Sequence, residues 1–185
     1  MTLKRISNEF GIKSMSNKLI SYAGTNTFEN LQNIKINILD THTAINFYYN
    51  KMNSEEGYVV ELICCGNYPF RPPKDIYINY EKYYGKIEMS RDEAEFIRNK
   101  YGVLCTCCES ILCGNNWNPL YRIKYIIDER NFWDTILDMY KKLNIIKRIQ
   151  NNIPLETWRI IEDYIFISKE NYQDMRRIGR YIINR

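Results

Sequence analysis

The chain has 185 residues, of which 45% are hydrophobic, so it can bury one core and carry a small helical extension. Its formal net charge of +4 is spread over segments of mixed sign, apart from a basic end, and no stacking-aromatic motif accompanies it, so we expect no nucleic-acid partner. No run of about eighteen apolar residues occurs, and the first residues lack the apolar region of a secretion signal. We therefore expect no membrane partner and a location in the cytoplasm or the nucleus.

Apolar residues at helical spacing open the chain. In TLKRISNEF (2–10), Leu3, Ile6 and Phe10 lie three and four positions apart, and Gly11 follows as a stop signal. This spacing predicts a short amphipathic helix.

Four strand-like segments follow the helix. NIKINILD (33–40) alternates isoleucine with polar residues, and AINFYYNK (44–51), GYVVELIC (57–64) and DIYIN (75–79) are similar runs. Their short connections predict an antiparallel meander. Before the last run, NYPFRPP (67–73) contains three prolines, which cannot donate ladder hydrogen bonds, so it predicts an ordered extended loop.

The rest of the chain is mainly helical in pattern. Ser90 and Glu93 have the spacing of a capping box at the start of a short helix. Residues 121–149 place apolar side chains three and four apart, which predicts one or two core helices. Pro154 stands near the first turn of a further amphipathic helix, which we expect to dock back on the core. These elements together predict an α+β domain.

Six cysteines raise the question of metal, disulfide or catalysis. A disulfide framework is not expected without an export signal. Cys64 and Cys65 lie in a predicted strand, where a cysteine is ordinarily a small core residue. The other four, Cys105, Cys107, Cys108 and Cys113, lie within nine positions.

A zinc site is the less favoured interpretation of those four thiols. Structural zinc usually takes two separated pairs of ligands, and the sequence offers no second pair at a distance. The adjacent Cys107 and Cys108 are not expected to face one ion. We therefore predict no metal, and a partly exposed cysteine on irregular backbone remains a candidate nucleophile.

Three separated stretches resemble the ubiquitin-conjugating enzymes. TLKRISNEF (2–10) resembles the family's first helix, NYPFRPP (67–73) its YPFKPP-like loop, and a cysteine followed by Ser-Ile-Leu and then Trp-Asn-Pro (108–119) its active-site segment. The resemblance covers about residues 1–146. The CxCC variant and the AT-biased composition also resemble ubiquitin-conjugating-like proteins of large DNA viruses.

The resemblance implies a UBC-like α+β fold with an N-terminal helix, a four-stranded antiparallel meander, an irregular active-site segment and C-terminal helices. It implies a catalytic domain over residues 1–148 and a C-terminal helical extension over residues 149–185. The implied activity is acceptance of ubiquitin, or a ubiquitin-like protein, as a thioester on cysteine, followed by transfer to a substrate lysine. The implied partners are a ubiquitin-activating enzyme and a ubiquitin ligase, and no cofactor is needed.

The resemblance nominates Cys108 as the nucleophile, because CESIL matches the family's Cys-x-x-Ile-Leu stretch. Cys105 is the alternative, because GVLC resembles the family's Gly-x-Ile-Cys approach. The spacing to Trp117 favours Cys108, since Cys105 would require three more residues in the turn.

One family feature is absent from the sequence. No His-Pro-Asn tripeptide occurs, and Asn99 is the residue at about the right distance upstream to replace its asparagine, which is proposed to stabilise the oxyanion. The single histidine, His42, is assigned no role. This departure keeps open a second hypothesis, a non-catalytic UBC-like adaptor that binds ubiquitin or ligases.

The family's partner-binding face also has counterparts in this sequence. The resemblance assigns partner binding to Lys4 and Arg5 in the first helix, to Phe70 in the proline loop, and to Pro119 with Leu120 after the tryptophan. A preordered loop loses little entropy on binding, which favours an interface role for Phe70. The alternative is that Phe70 covers the edge of the core.

Overall fold

The structure, a computed structural model, describes residues 2–11, 20–26, 31–50, 56–150 and 152–178. Its helices are α1 (Thr2–Glu9), α2 (Arg91–Tyr101), α3 (Thr106–Glu109), α4 (Ile123–Ile149), α5 (Leu155–Ile165) and α6 (Lys169–Ile178). Its strands are β1 (Ile20–Asn26), β2 (Leu31–Ile38), β3 (His42–Asn50), β4 (Gly57–Cys65), β5 (Asp75–Ile78) and β6 (Glu81–Lys82). One helix precedes a single sheet and the other helices follow it, which confirms the α+β class.

Each strand pairs with the next along the chain, and every pair is antiparallel. Strands β2 to β5 confirm the four predicted strands. The four-stranded meander is nevertheless corrected, because the described part of the chain adds β1 and β6 to the sheet. The sequence of β1, ISYAGTN, includes glycine and small polar residues, and β6 has only two residues, too few to show a period.

One face of the sheet carries the core. In β3 and β4 every second side chain is buried, as alternation predicts. Helix α4 lies across this face: the Tyr49 hydroxyl donates to Asp128 Oδ1 over 3.1 Å, and the Tyr58 hydroxyl donates to Asp134 Oδ2 over 2.6 Å. Helix α4 is therefore fixed to the central strands by two hydroxyl-to-carboxylate hydrogen bonds, one buried and one partly buried.

The first helix confirms its prediction and packs on the same core. Ile6 and Phe10 are buried, and the Phe10 ring lies 5.7 Å from that of Phe47 in β3. Leu3, the third residue of the predicted stripe, is 39% exposed. The helix thus buries its second turn more completely than its first.

The buried carboxylate of Glu9 joins three parts of the chain. Its Oε1 accepts from Arg5 Nε at 2.5 Å and from the Tyr68 hydroxyl at 2.6 Å, while Oε2 accepts from the backbone N–H of Ile123 at 2.9 Å. The Ile123 amide opens α4 and has no acceptor within its own helix, so Glu9 satisfies it. Burial, reinforced by the Glu9 charge, raises the pKa of Tyr68 far above its usual range. The tyrosine is therefore a permanent donor that connects the proline loop to α1.

Helix α2 begins with the predicted capping box. The Glu93 amide donates to Ser90 Oγ over 3.3 Å, and the Ser90 amide donates to Glu93 Oε2 over 2.7 Å. Gly102 closes the helix in the left-handed conformation, with φ of +74°. Both ends of α2 are fixed by local sequence.

The C-terminal helices dock on the core, as predicted. Trp158, Phe166 and Tyr172 are buried, and the Tyr172 ring lies 5.3 Å from Tyr101 and 5.7 Å from Phe132. Helix α6 was not predicted, because KENYQDMRRI is mainly polar and offers only three apolar positions, Tyr172, Met175 and Ile178. Within the described ranges, no helix is long and apolar enough to cross a bilayer.

Candidate functional site

The cysteine-rich segment lies between α2 and α4. It was predicted to be irregular, and the structure adds one helical turn, α3, with Cys105 in extended conformation as its N-cap. A series of turns follows from Ile111 to Leu120. The segment contains little regular secondary structure, so its position depends on side-chain contacts with the rest of the protein.

Three anchors hold the segment on the core. Thr106 Oγ1 accepts from the Ile87 amide at 3.0 Å, and the Ile111 amide donates to Glu129 Oε2 over 2.8 Å. Glu129 belongs to α4, is only 1% exposed, and also accepts from a tyrosine hydroxyl. Ser110 packs against Gly85, whose φ is +82° and where an added Cβ would overlap the serine side chain.

Asn116 holds the segment from its solvent side. Its Nδ2 donates to the carbonyl of Cys108 over 2.8 Å and to the carbonyl of Ser110 over 3.0 Å. A single amide thus closes the turn that carries the exposed cysteine. The sequence did not indicate this residue, because asparagine is frequent in the chain and nothing in GNNW distinguishes Asn116 from Asn115.

Three thiols converge above this turn. The sulfurs of Cys105, Cys107 and Cys108 all lie within 4.8 Å of one another, and the Cys107 and Cys108 sulfurs are 4.0 Å apart. The expectation that two adjacent cysteines cannot face one ion is therefore wrong for this backbone. Cys113, the fourth thiol considered from sequence, does not belong to the group. We call Cys105, Cys107 and Cys108 the thiol cluster.

The thiols of the cluster differ in exposure and in acidity. Cys108 is exposed, whereas Cys105 and Cys107 are partly buried. A hydrogen bond from the Cys107 thiol, with backbone amides of residues 107 and 108, lowers the pKa of Cys105 to about 7. The same thiol-to-thiol bond raises the pKa of Cys107 to about 11. Access thus favours Cys108 as a nucleophile, and acidity favours Cys105.

The other two polar candidates lie elsewhere. Asn99 is exposed on α2 and lines a groove formed with residues of α4 and α5, such as Lys147 and Glu162. None of the described cysteines lines that groove. His42 begins β3, where its Nδ1 is 2.9 Å from Thr41 Oγ1, and it pairs with Cys65 in the ladder.

The predicted partner-binding residues come from three joined segments. Arg5 Nη2 donates to the carbonyl of Leu120 over 3.2 Å, and Trp117 Nε1 donates to the carbonyl of Pro69 over 2.8 Å. Helix α1 is therefore linked to the segment after Trp117, and that segment to the proline loop. Trp117 thus anchors one loop on another through its indole N–H.

The exposure of the predicted partner-binding residues differs. Phe70 is 61% exposed and Leu120 is 77% exposed, and Lys4 and Pro119 are also exposed. Arg5 is different, because its guanidinium is partly buried against the Glu9 carboxylate. Arg5 is thus engaged in holding the loops, whereas the apolar pair Phe70 and Leu120 is accessible.

No family model matches the sequence, and comparisons with curated proteins and with solved structures also give no match.

Proposed function

We propose that this protein has a UBC-like fold and accepts the carboxyl terminus of ubiquitin, or of a ubiquitin-like protein, as a thioester on Cys108. The single observation that carries the proposal is the placement of Cys108, an exposed thiol on a turn that Asn116 holds by two hydrogen bonds. A nucleophile for a protein-sized acyl donor must be accessible and fixed in place, and a buried cysteine would be inert.

The architecture supports the same proposal. A first helix, an antiparallel sheet, helix α2, the cysteine segment and further helices follow one another along the chain. Trp117 and Tyr68 pack beside each other, with ring centroids 6.3 Å apart, so the two loops that carry the resemblance are in contact. This arrangement is compatible with the fold and gives the cysteine segment a rigid neighbour.

The chemistry needs no cofactor. The Cys108 thiolate attacks the carbonyl carbon of the thioester on an activating enzyme, a new C–S bond forms, and the enzyme's cysteine leaves as a thiolate. The amine of a substrate lysine then attacks the same carbonyl carbon, an amide forms, and the Cys108 thiolate leaves. The amine loses one proton to solvent.

The role given to Asn99 changes in this proposal. Asn99 lines the α2–α4–α5 groove, so its amide is not assigned to the thioester. Asn116 instead supports the loop beside the cysteine, which is one of the two functions that the resemblance assigns to the family's asparagine. The oxyanion would then be stabilised by donors that the bound partner or the turn backbone provides.

Phe70 and Leu120, with Lys4 and Pro119, form the proposed docking surface for the activating enzyme and a ubiquitin ligase. Two exposed apolar side chains on loops fixed by Arg5 and a tryptophan offer contact area at low entropic cost. The same surface also favours the second candidate, a non-catalytic adaptor, because it does not involve the thiol.

A charging assay separates the two candidates. The full chain is incubated with activating enzyme, ATP and ubiquitin, or a ubiquitin-like protein with its own activating enzyme. We expect a product that reducing agent cleaves, that is lost in Cys108→Ala and that persists in Cys113→Ser, the matched control outside the cluster. A product that persists in Cys108→Ala and disappears in Cys105→Ala would contradict the assignment of Cys108. The adaptor hypothesis would be supported if no carrier gave a product while the protein still bound ubiquitin or a ligase, and if Phe70→Ala abolished that binding.

A further inference from the structure

The thiol cluster has the arrangement of a metal-binding tripod. Three soft ligands, Cys105, Cys107 and Cys108, come from four consecutive positions, and their sulfurs lie within 4.8 Å of one another. Two of them belong to one helical turn and the third is its N-cap, so a short piece of backbone sets all three positions. Such a group has a chemical use that does not depend on acyl transfer.

The sulfur separations fit a zinc ion. A Zn–S bond is about 2.3 Å long, so two thiolates of a tetrahedral site are about 3.8 Å apart. The Cys107 and Cys108 sulfurs are already 4.0 Å apart. The Cys105 sulfur lies within 4.8 Å of both, so it must come closer to them when the ion binds.

We propose that Cys105, Cys107 and Cys108 bind one Zn²⁺ ion as three thiolates, with a water molecule in the fourth position. Thiolates are the ligands that soft and borderline metals select, and zinc sites with three protein ligands keep an open position for water. The exposed side of Cys108 gives the ion a path from solvent. Cys113 is not a ligand, because it lies outside the group of three.

The surroundings of the cluster favour a preformed site. Thr106, between the ligands, is fixed to the Ile87 amide, and Asn116 binds the carbonyl of Cys108. Outer hydrogen bonds of this kind orient metal ligands and reduce the entropy that binding must remove.

The binding step balances without another reactant. Three S–H bonds break, three Zn–S bonds form, and three protons pass to solvent. Neither zinc nor sulfur changes its oxidation state. Affinity therefore rises with pH, as for any site whose ligands must lose protons.

The zinc site stands independently of the proposed acyl transfer, but the two uses of Cys108 exclude each other. A thiolate that is bound to zinc is not free to attack a carbonyl carbon. If both proposals hold, zinc blocks charging, and a chelator restores it.

The test uses the full chain, reduced, stripped of metal, and titrated with Zn²⁺ against a chromophoric chelator. We expect one equivalent of zinc per chain. X-ray absorption at the zinc edge should show three sulfurs at about 2.3 Å and one lighter neighbour. Zinc should also protect the three cysteines of the unsubstituted chain from alkylation. Mass spectrometry measures this protection.

Variants assign the ligands. Cys105→Ser, Cys107→Ser and Cys108→Ser should each weaken binding by roughly tenfold or more, whereas Cys113→Ser and Cys65→Ser should bind as the parent does. Circular dichroism checks that each variant is folded. The proposal would be overturned if the chain bound no stoichiometric zinc, or bound Cu⁺ but not Zn²⁺. It would also be overturned by a fourth sulfur ligand, or by an equal loss of zinc affinity in Cys113→Ser. Charging of zinc-free protein is measured separately, so failure of one proposal leaves the other open to its own test.

Discussion

Asn116 shows how one side chain can hold the turn that carries the exposed cysteine. Two carbonyls, those of Cys108 and Ser110, point at the same amide nitrogen. A turn without ladder hydrogen bonds leaves such carbonyls without partners, and an amide NH2 group that donates one hydrogen bond to each of them removes that cost. The exposed cysteine is therefore held by a residue eight positions further along the chain.

Replacing Asn116 should loosen the cysteine turn. Asn116→Ala removes both hydrogen bonds, and we expect a loss of about 1 kcal/mol in the free energy of unfolding, because the site is partly exposed. Hydrogen exchange of the amides in residues 105–113 should become faster. The control is Asn115→Ala, a substitution of the exposed neighbour in the same turn. Equal exchange in the two variants would show that Asn116 does not hold the turn.

The sequence identified the exposed candidate residues better than it identified the residue that supports the cysteine turn. Cys108 was nominated from CESIL and is the exposed member of the cluster, and Phe70 was nominated from the proline loop and is also exposed. Asn116 could not be found, because its role depends on a turn whose shape no local pattern encodes. Asn99 was placed by sequence distance alone, and a helix carries it to a different groove.

The capping box of α2 is the element whose energetics follow most directly from sequence. Burial raises the pKa of Glu93, but hydrogen bonds from Ser90 and the charge of Lys141 outweigh it, so the net pKa lies below the ordinary 4.5. A carboxyl whose pKa falls on folding stabilises the native state above its unfolded pKa. That contribution disappears as the pH falls through the folded value.

Glu93→Gln should therefore destabilise the protein in a pH-dependent way. At pH 7 we expect a loss of about 1 kcal/mol, because glutamine keeps an acceptor for Ser90 but loses the charge that faces Lys141. The difference from the parent should shrink as the pH falls below about 4.5, measured by urea unfolding at several pH values. Glu95→Gln, exposed on the same helix, is the control. A difference that stays constant with pH would show that the charge plays no part.

Among the elements, those with a strong period were predictable and the others were not. Strands β3 and β4 alternate over nine residues each, and α4 repeats its apolar positions over 27 residues. Strand β6 has two residues, and over residues 169–175, the part of α6 whose burial is described, Tyr172 is the buried side chain. Such elements are held by their neighbours, and tertiary contacts are not visible in a local pattern.

At the scale of the whole molecule, the C-terminal helices belong to the same core as the sheet. The Tyr172 ring is stacked on Phe132 and contacts Tyr101 and Trp133. The link between α2 and α5 is reinforced by an ion pair between Lys100 and Asp163. The sequence predicted this docking from one apolar stripe, but it could not show that an aromatic cluster shared by α2, α4 and α6 is involved.

Tyr172→Ala should destabilise the entire protein. Tyr172 is 2% exposed, so its removal leaves a cavity in the aromatic cluster, and we expect a loss of about 3 kcal/mol in a single cooperative unfolding transition. Tyr164→Ala is the matched control, because Tyr164 on α5 is 88% exposed and should change stability by less than about 0.5 kcal/mol. Denaturant unfolding followed by fluorescence measures both. Similar stability of the two variants would mean that α6 is not part of the cooperative unit.

The Glu9 contacts also govern when the protein can finish folding during its synthesis. Glu9 is made well before the last of its partners, because the amide of Ile123 lies 114 positions further along the chain. Until that amide has left the ribosome, Glu9 lacks one of its hydrogen-bond donors. Its burial is then unfavourable, because a buried carboxylate without its partners costs free energy. The first helix therefore reaches its final position only after the start of α4 has emerged from the ribosome.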